Sequence, residues 1–171
     1  MGLFRRQARV RRVAEGRYAV ALQDWEQGLL VGLTGDLRAL LVESTDDPSV
    51  RRLFPTAYHD EPERDLEYQV LARDELLQRR LAALDLVGED AGATELDRAG
   101  LSAWMRAVND LRLVIGTNLD VSEDDSPRPR PDDPDAPARE VYGYLTALLA
   151  EIVDALEDGL ADPDPDEAPS P

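Results

Sequence analysis

The chain has 171 residues, and its 36 acidic residues against 19 basic ones give a formal charge of -17. It contains no cysteine, which excludes disulfides, thiolate nucleophiles, zinc–thiolate sites and thiol redox switches within the chain. It also contains no lysine, which excludes Schiff-base chemistry on lysine and the lysine-containing phosphate loop. A chain of this length predicts one domain with a hydrophobic core of its own.

The charge is distributed unevenly along the chain. Residues 1–17 carry six arginines and one acid, a net of +5. Two stretches rich in aspartate and proline, at 122–135 and 159–171, have too little apolar surface to offset the entropy of ordering. We therefore expect a single helical domain over residues 1–158, with a mobile acidic loop at about 122–135, and a disordered acidic tail over 159–171. Such acidic segments are solvated linkers or docking arms for a partner.

The N-terminal sequence lacks the apolar run of a signal peptide, and no stretch approaches the roughly 18 apolar residues of a membrane span. We expect a cytoplasmic protein without a membrane segment.

A β-hairpin and a helix are predicted at the start of the chain. Residues 9–22 alternate with period two on either side of Gly16, which is typical of a short hairpin. From Asp24 the apolar period becomes helical. The predicted buried stripe of this first helix is Trp25, Leu29, Leu33, Leu37, Leu40 and Leu41. Gly28 and Gly32 lie four residues apart on it and predict a close helix neighbour, the alternative being backbone that approaches a ligand.

A short helical turn at 49–54 precedes the second predicted helix, which begins near Pro62 and ends between Gly88 and Gly92. Its apolar stripe, interrupted at Arg73 and Asp74, is Leu66, Val70, Leu77, Leu81 and Leu84. These two residues either form a polar pair at the edge of the core, or the helix leaves the core there.

Two further helices complete the pattern. Asp97 is the predicted N-cap of the third, whose apolar stripe is Leu101, Trp104, Val108, Leu111 and Ile115. The fourth runs from about Pro137 to Asp158 and has a wide apolar face, from Val141 to Leu156, which predicts a central place in a bundle or a homodimer contact through this last helix. The fold class expected is mainly α, a four-helix bundle-like domain with a short N-terminal β-hairpin.

The residues offer little to an enzyme, and we expect no catalytic residue, cofactor or metal site. His59 is the only imidazole and lies beside Asp60 and Glu61 in a polar connection. A surface histidine that titrates in a loop is the simpler interpretation, and a carboxylate-based enzyme or metal site centred on His59 is the other.

Polar residues inside the third helix predict a binding face for a protein partner. Asn109, Asp110 and Arg112 either form a buried hydrogen-bonded network or, together with Trp104 and Arg106, a recognition surface.

Six N-terminal arginines suggest an alternative function, the binding of nucleic acid. They are Arg5, Arg6, Arg9, Arg11, Arg12 and Arg17. A patch of this charge could contact phosphates. It has almost no interleaved aromatic residues, and the rest of the chain is acidic, which makes nucleic acid an unfavourable ligand. The other interpretation is a solvated arm or a segment folded against the protein's own acidic surface.

Three strings carry a family resemblance: RRLFPTAY at 51–58, WMRAVNDLRLVIGT at 104–117 and VYGYLT at 141–146. In that order and spacing they resemble an actinobacterial family long catalogued as a domain of unknown function, which includes the actinobacterial oxidation-sensing regulator. The resemblance covers nearly the whole chain. It implies a cytoplasmic actinobacterial protein with a regulatory role. Some members look like redox-responsive partners of a transcription sigma factor and use a pair of cysteines as the sensor.

This chain departs from the family pattern because it has no cysteine, so the thiol sensor cannot carry over. Together, the sequence predicts a non-enzymatic regulatory or protein-interaction domain that is linked to stress-responsive transcription through a protein partner, which the resemblance suggests is a sigma factor. Nucleic-acid binding through the arginine-rich N-terminus is the alternative.

Overall fold

A computed structural model describes residues 8–54, 62–121 and 133–159, with the side chains of the second helix described from residue 72 onward. Its strands are β1 (Val10–Ala14), β2 (Arg17–Val20) and β3 (Glu95–Asp97). Its helices are α1 (Asp24–Glu43), α2 (Pro62–Asp90), α3 (Arg98–Asn118) and α4 (Ala136–Asp158). A short 3₁₀ helix at Pro48–Val50 follows α1. The predicted fold class, mainly α with four helices and an N-terminal hairpin, is confirmed within these ranges.

The hairpin gains a third strand that the sequence did not reveal. The sheet has the order β1-β2-β3 with both pairs antiparallel. Gly16 adopts a φ of 62° in the turn between β1 and β2, a conformation that glycine reaches without a steric penalty. β3 has only three residues, of which Leu96 alone is buried, so it shows too short an alternation to be recognised. Because β3 leads directly into α3, it ties the sheet to the bundle.

The predicted buried stripe of α1 is confirmed at Leu37 and Leu41, but it is wrong by one position in the first half of the helix. The buried residues of α1 are Glu26, Leu30, Thr34, Leu37 and Leu41. Trp25, predicted to be buried, is 58% exposed, and its ring lies 5.5 Å from that of Tyr144. A polar residue can sit inside because the Glu26 carboxylate accepts hydrogen bonds from the Arg9 guanidinium at 2.6 Å and the Gln23 backbone N–H at 2.7 Å.

Close helix packing occurs at a different glycine from the two predicted. A Cβ atom at Gly28 or Gly32 would meet nothing within 4 Å, so the described residues supply neither glycine with a close neighbour. At Gly116, by contrast, a Cβ atom would lie 2.9 Å from the Tyr142 ring. The close approach is therefore between α3 and α4.

The polar interruption in α2 is neither an internal pair nor a departure from the bundle. Arg73 donates to Thr45 and Asp46, each at 2.6 Å, and its guanidinium lies 5.4 Å from the centroid of the Phe54 ring. Asp74 is exposed. Arg73 thus fastens α2 to the segment after α1.

The core lies where α3 meets the other helices. Trp104, Leu101, Leu145, Leu148 and Ile152 are fully buried. The predicted N-cap of α3 is confirmed, since the Asp97 carboxylate accepts from the backbone N–H of Gly100 at 2.7 Å.

The wide apolar face of α4 is only partly covered. Its Val141, Tyr142, Leu149 and Val153 are half-buried, and a homodimer through this helix stays a prediction. Most of the predicted acidic loop at 122–135, and all but Gly159 of the predicted tail, lie outside the described residues. Residues 133–135 form a turn that leads into α4, with the Asp133 carboxylate accepting from Arg139 at 2.7 Å.

Candidate functional site

A groove of about 700 Å³ runs between α2 and α3. Both helices contribute residues at helical spacing, so that each presents one face to the groove. The lining residues are Leu76, Arg79, Arg80, Ala82, Ala83, Leu86, Ala103, Arg106, Asn109, Asp110 and Leu113. The floor is made of alanine and leucine side chains, and the charged groups are three arginines and one aspartate.

An ion pair joins the two walls of the groove. The Arg80 guanidinium donates to the Asp110 carboxylate and, at 2.7 Å, to the backbone carbonyl of Leu53. Asp110 is buried, and the Arg80 side chain is 22% exposed. The Phe54 ring lies beneath the guanidinium, with its centroid 5.7 Å away. Arg80 therefore holds α3 and the 50–54 segment to α2 at the same point.

Burial controls the protonation of the carboxylate in this pair. Removal from water raises the pKa of Asp110 above its ordinary value, although the hydrogen bond from Arg80 and the charges of Arg80 and Arg106 act in the opposite direction. The pair fixes how the helices meet, and it adds less stability than its geometry alone suggests, because desolvation offsets the attraction.

The structure brings three of the five predicted partner-binding residues together. Arg106 is exposed, Asn109 is half-buried and Asp110 is buried, and all three line the groove. The side chain of Asp110 accepts a hydrogen bond from Arg80, a residue of α2 that was not among the predicted ones.

The other two predicted residues lie elsewhere. Trp104 has no exposed surface, so its role is in packing and it cannot touch a partner. Arg112 projects toward α4, where its guanidinium lies 5.9 Å from the centroid of the Tyr142 ring.

Sequence reasoning missed the α2 wall of the groove. Leu76, Ala83 and Leu86 form a second row at helical spacing beside the predicted core stripe of Leu77, Leu81 and Leu84. This second apolar row indicates a second contact face on α2, because a helix that packs on one neighbour needs only one apolar stripe. Arg79 and Arg80 lie within that row.

Three of the four described N-terminal arginines contact other parts of the protein, and the fourth, Arg11, is exposed. Arg9 donates to Glu26 and to Glu151, each at 2.6 Å. Burial alone would lower the pKa of Arg9, but the hydrogen bond to Glu26 and the charges of both glutamates raise it. Arg17 pairs with Glu95. In the described part, this basic segment is folded against acidic groups, which reduces the positive charge available to phosphates.

Arg12 also contacts the body of the protein, donating to the Asp158 carbonyl at 3.1 Å. Arg5 and Arg6 lie outside the described residues, as do His59, Asp60 and Glu61.

A metal site centred on His59 therefore stays an open alternative. Within 8–54, 72–121 and 133–159, no three histidine, aspartate or glutamate side chains are grouped so as to hold a metal ion. Among the described residues, no helix is both long and apolar enough to cross a membrane.

Comparisons with known proteins match nearly the whole chain to one family. The family model described as "Domain of unknown function (DUF2017)" matches residues 4–156. The putative oxidative stress regulator AosR of Mycobacterium leprae is 30% identical over 141 residues, which cover 72% of this chain and 64% of that protein. The oxidative stress regulator AosR of Mycobacterium tuberculosis strain H37Rv is 32% identical over 124 residues, covering 63% and 57%.

The match thus spans between about half and two thirds of the length of these relatives. No solved structure shows a significant match to the chain.

Proposed function

The chain belongs to the DUF2017 family, and from that membership we propose that it is a non-enzymatic regulatory protein that binds another protein in the groove between α2 and α3. The groove carries the proposal. It combines uncovered apolar side chains with exposed charge, and the longest string of the family resemblance, 104–117, contributes Arg106, Asn109 and Asp110 to it.

A role in the response to stress is supported by the relatives, which are named as oxidative stress regulators. This chain has no cysteine, so it performs that role without a thiol sensor of its own. We propose that it acts on stress-responsive transcription through a protein partner in the cytoplasm. A sigma factor is the partner that the family resemblance implies.

A non-enzymatic role fits the chemistry of the groove. Among the described residues that line it, the one carboxylate, Asp110, is held by Arg80, and the other titratable groups are arginines, which do not exchange protons near neutral pH. None of these described groups is placed to act as a general base.

The test compares two charge reversals of exposed arginines. Arg106→Glu alters the groove, and Arg11→Glu alters β1, which does not border it. Binding of each variant to the purified sigma factors of the source bacterium is measured by biolayer interferometry. Transcripts induced by peroxide are counted in strains that carry each variant.

We expect Arg106→Glu to weaken binding to one sigma factor and to change the induced transcripts, whereas Arg11→Glu behaves as the parent chain. Equal behaviour of the two variants in both assays would remove the groove from the function. If no sigma factor binds but the transcripts change with Arg106→Glu, the regulatory role stands and the partner is of another kind.

A further inference from the structure

We propose that the occupant of the groove is an acidic amphipathic helix of the partner protein, about three turns long. This inference rests on the proposed function and adds the chemistry of the binding partner.

The dimensions of the groove fit a helix. Its lining residues span 76–86 on α2 and 103–113 on α3, and ten residues of helix rise about 15 Å, or nearly three turns. Three alanines, at 82, 83 and 103, line it. Small side chains let a third helix approach α2 and α3 closely, and the groove between two packed helices is a common place for an amphipathic helix to bind.

The floor of the groove requires apolar residues on one side of that helix. Leu76, Leu86 and Leu113 are each half-buried, so each leaves apolar surface in contact with water. Burying that surface against leucine or alanine side chains of a partner supplies the main favourable free energy of binding.

The rim of the groove requires acidic residues beside the apolar ones. Arg79 and Arg106 are exposed, one on each wall. Arg79 contacts Glu75 one turn earlier, with both side chains about two-thirds exposed, and exposed pairs of this kind exchange partners at little cost. Arg106 makes no ion pair with any residue that the structure describes. A positive rim is unusual in a chain with a net charge of -17, and it favours carboxylates while it repels a basic helix.

The experiment uses the full chain and three fluorescent, helix-stapled peptides of about three turns. The first carries glutamates on both flanks of a leucine and alanine stripe. The second has lysine in place of every glutamate and keeps the stripe. The third has the composition of the first in an order that destroys the stripe. Binding is measured by fluorescence anisotropy, and the contact surface is mapped by chemical-shift changes.

The glutamate peptide should bind, with shift changes confined to residues 76–86 and 103–113, and the other two peptides should not. Arg106→Glu should weaken it about tenfold, because an exposed attraction becomes a repulsion. The double variant that combines Arg79→Glu with Arg106→Glu should bind the lysine peptide more tightly than the glutamate peptide. Arg11→Glu, also exposed, should bind as the parent chain does. Circular dichroism checks that each variant is folded.

Besides a failure of the glutamate peptide to bind, three results would overturn the inference. The first is lysine-peptide binding equal to that of the glutamate peptide. The second is a single-stranded oligonucleotide that displaces the glutamate peptide, which would make the groove a phosphate site. The third is a gain in peptide affinity when Asp162, Asp164, Asp166 and Glu167 are neutralised in the full chain, which would make the chain's own C-terminal segment the occupant.

The outcome is separable from that of the proposed function. If a sigma factor binds in a manner that depends on Arg106 but the glutamate peptide does not, only the chemistry of the occupant is wrong. If the peptide binds at the groove while groove variants leave sigma-factor binding and stress transcripts unchanged, the occupant stands and the proposed function fails.

Discussion

Replacement of Arg80 by methionine tests the physical account of the groove. The substitution keeps much of the apolar length of the side chain and removes its charge. Asp110 would remain buried, at 4% exposure, without its counter-ion, and the carbonyl of Leu53 would lose its donor. We expect Arg80→Met to be strongly destabilising.

The magnitude follows from the two lost interactions. Leaving one member of a buried ion pair costs about 3–5 kcal/mol, and because Arg80 is 22% exposed we take the lower end, about 3 kcal/mol. The missing hydrogen bond to Leu53 adds about 1 kcal/mol. The sum, about 4 kcal/mol, is a large part of the free energy of unfolding of a typical domain, which is roughly 5–15 kcal/mol. Adding Asp110→Leu should recover about 3 kcal/mol, since the buried charge is then gone.

Urea unfolding followed by circular dichroism measures these differences. The pH dependence gives a second check. Burial already raises the pKa of Asp110, and the loss of Arg80 raises it further. A carboxyl whose pKa is higher in the folded state favours folding below its unfolded pKa, and this contribution is lost as pH rises through the folded value.

The stability that Arg80→Met loses relative to the parent chain should therefore become smaller as pH falls from 7 toward about 4. A double variant no more stable than Arg80→Met, or a deficit independent of pH, would refute the reasoning.

Three further substitutions test other parts of the structure by urea unfolding. Glu26→Gln should lower the free energy of unfolding by about 2 kcal/mol, because the charge-assisted hydrogen bonds from Arg9 and the Gln23 backbone are weakened. The control Asp24→Asn, at an exposed position, should change it by less than about 0.5 kcal/mol. Equal effects would show that the hydrogen bonds to Glu26 are unimportant for stability. Gly116→Ala should destabilise the fold by about 1–3 kcal/mol, since its Cβ would lie 2.9 Å from a tyrosine ring. The control Gly32→Ala, where nothing lies within 4 Å of the added Cβ, should raise the free energy of unfolding by up to about 1 kcal/mol. A rise at both positions would contradict the close contact between α3 and α4. Burial raises the pKa of the Tyr144 phenol above its ordinary 10.0, so its contribution to stability is present at neutral pH and is lost as pH rises through the raised value. Tyr144→Phe should then lose less stability than the parent chain in strong alkali, and parallel alkaline curves would argue against a buried phenol.

The α1 helix shows how far periodicity reaches. Its first residue was predictable from the change of period at Asp24, yet the predicted stripe placed Trp25 inside, and the structure places Glu26 there. A leucine-rich helix such as α1 has apolar residues on several faces, so its pattern fits more than one rotation. The Arg9 side chain that neutralises Glu26 lies outside the helix, and Glu151, which accepts from the same guanidinium, comes from the far end of the chain. No local pattern contains these partners.

The groove shows the same division. Asn109 and Asp110 stood out in the sequence as a polar break in an apolar helix, and a hydrogen-bonded setting, which the structure shows for Asp110, was one of two predicted interpretations. The partner of Asp110 was not visible, because Arg80 lies 30 residues away and any of several arginines could have reached it.

The sequence alone determined which chemistries are absent, the four helices, the N-cap at Asp97 and the family, because composition, period, capping and motif order are encoded within short stretches. Only the tertiary structure decided which face of α1 is buried, that Trp104 belongs to the core, and that Arg79 and Arg106 line one groove from two different helices. These features depend on how each helix is rotated against its neighbours, and that rotation is set by contacts between residues far apart in the chain.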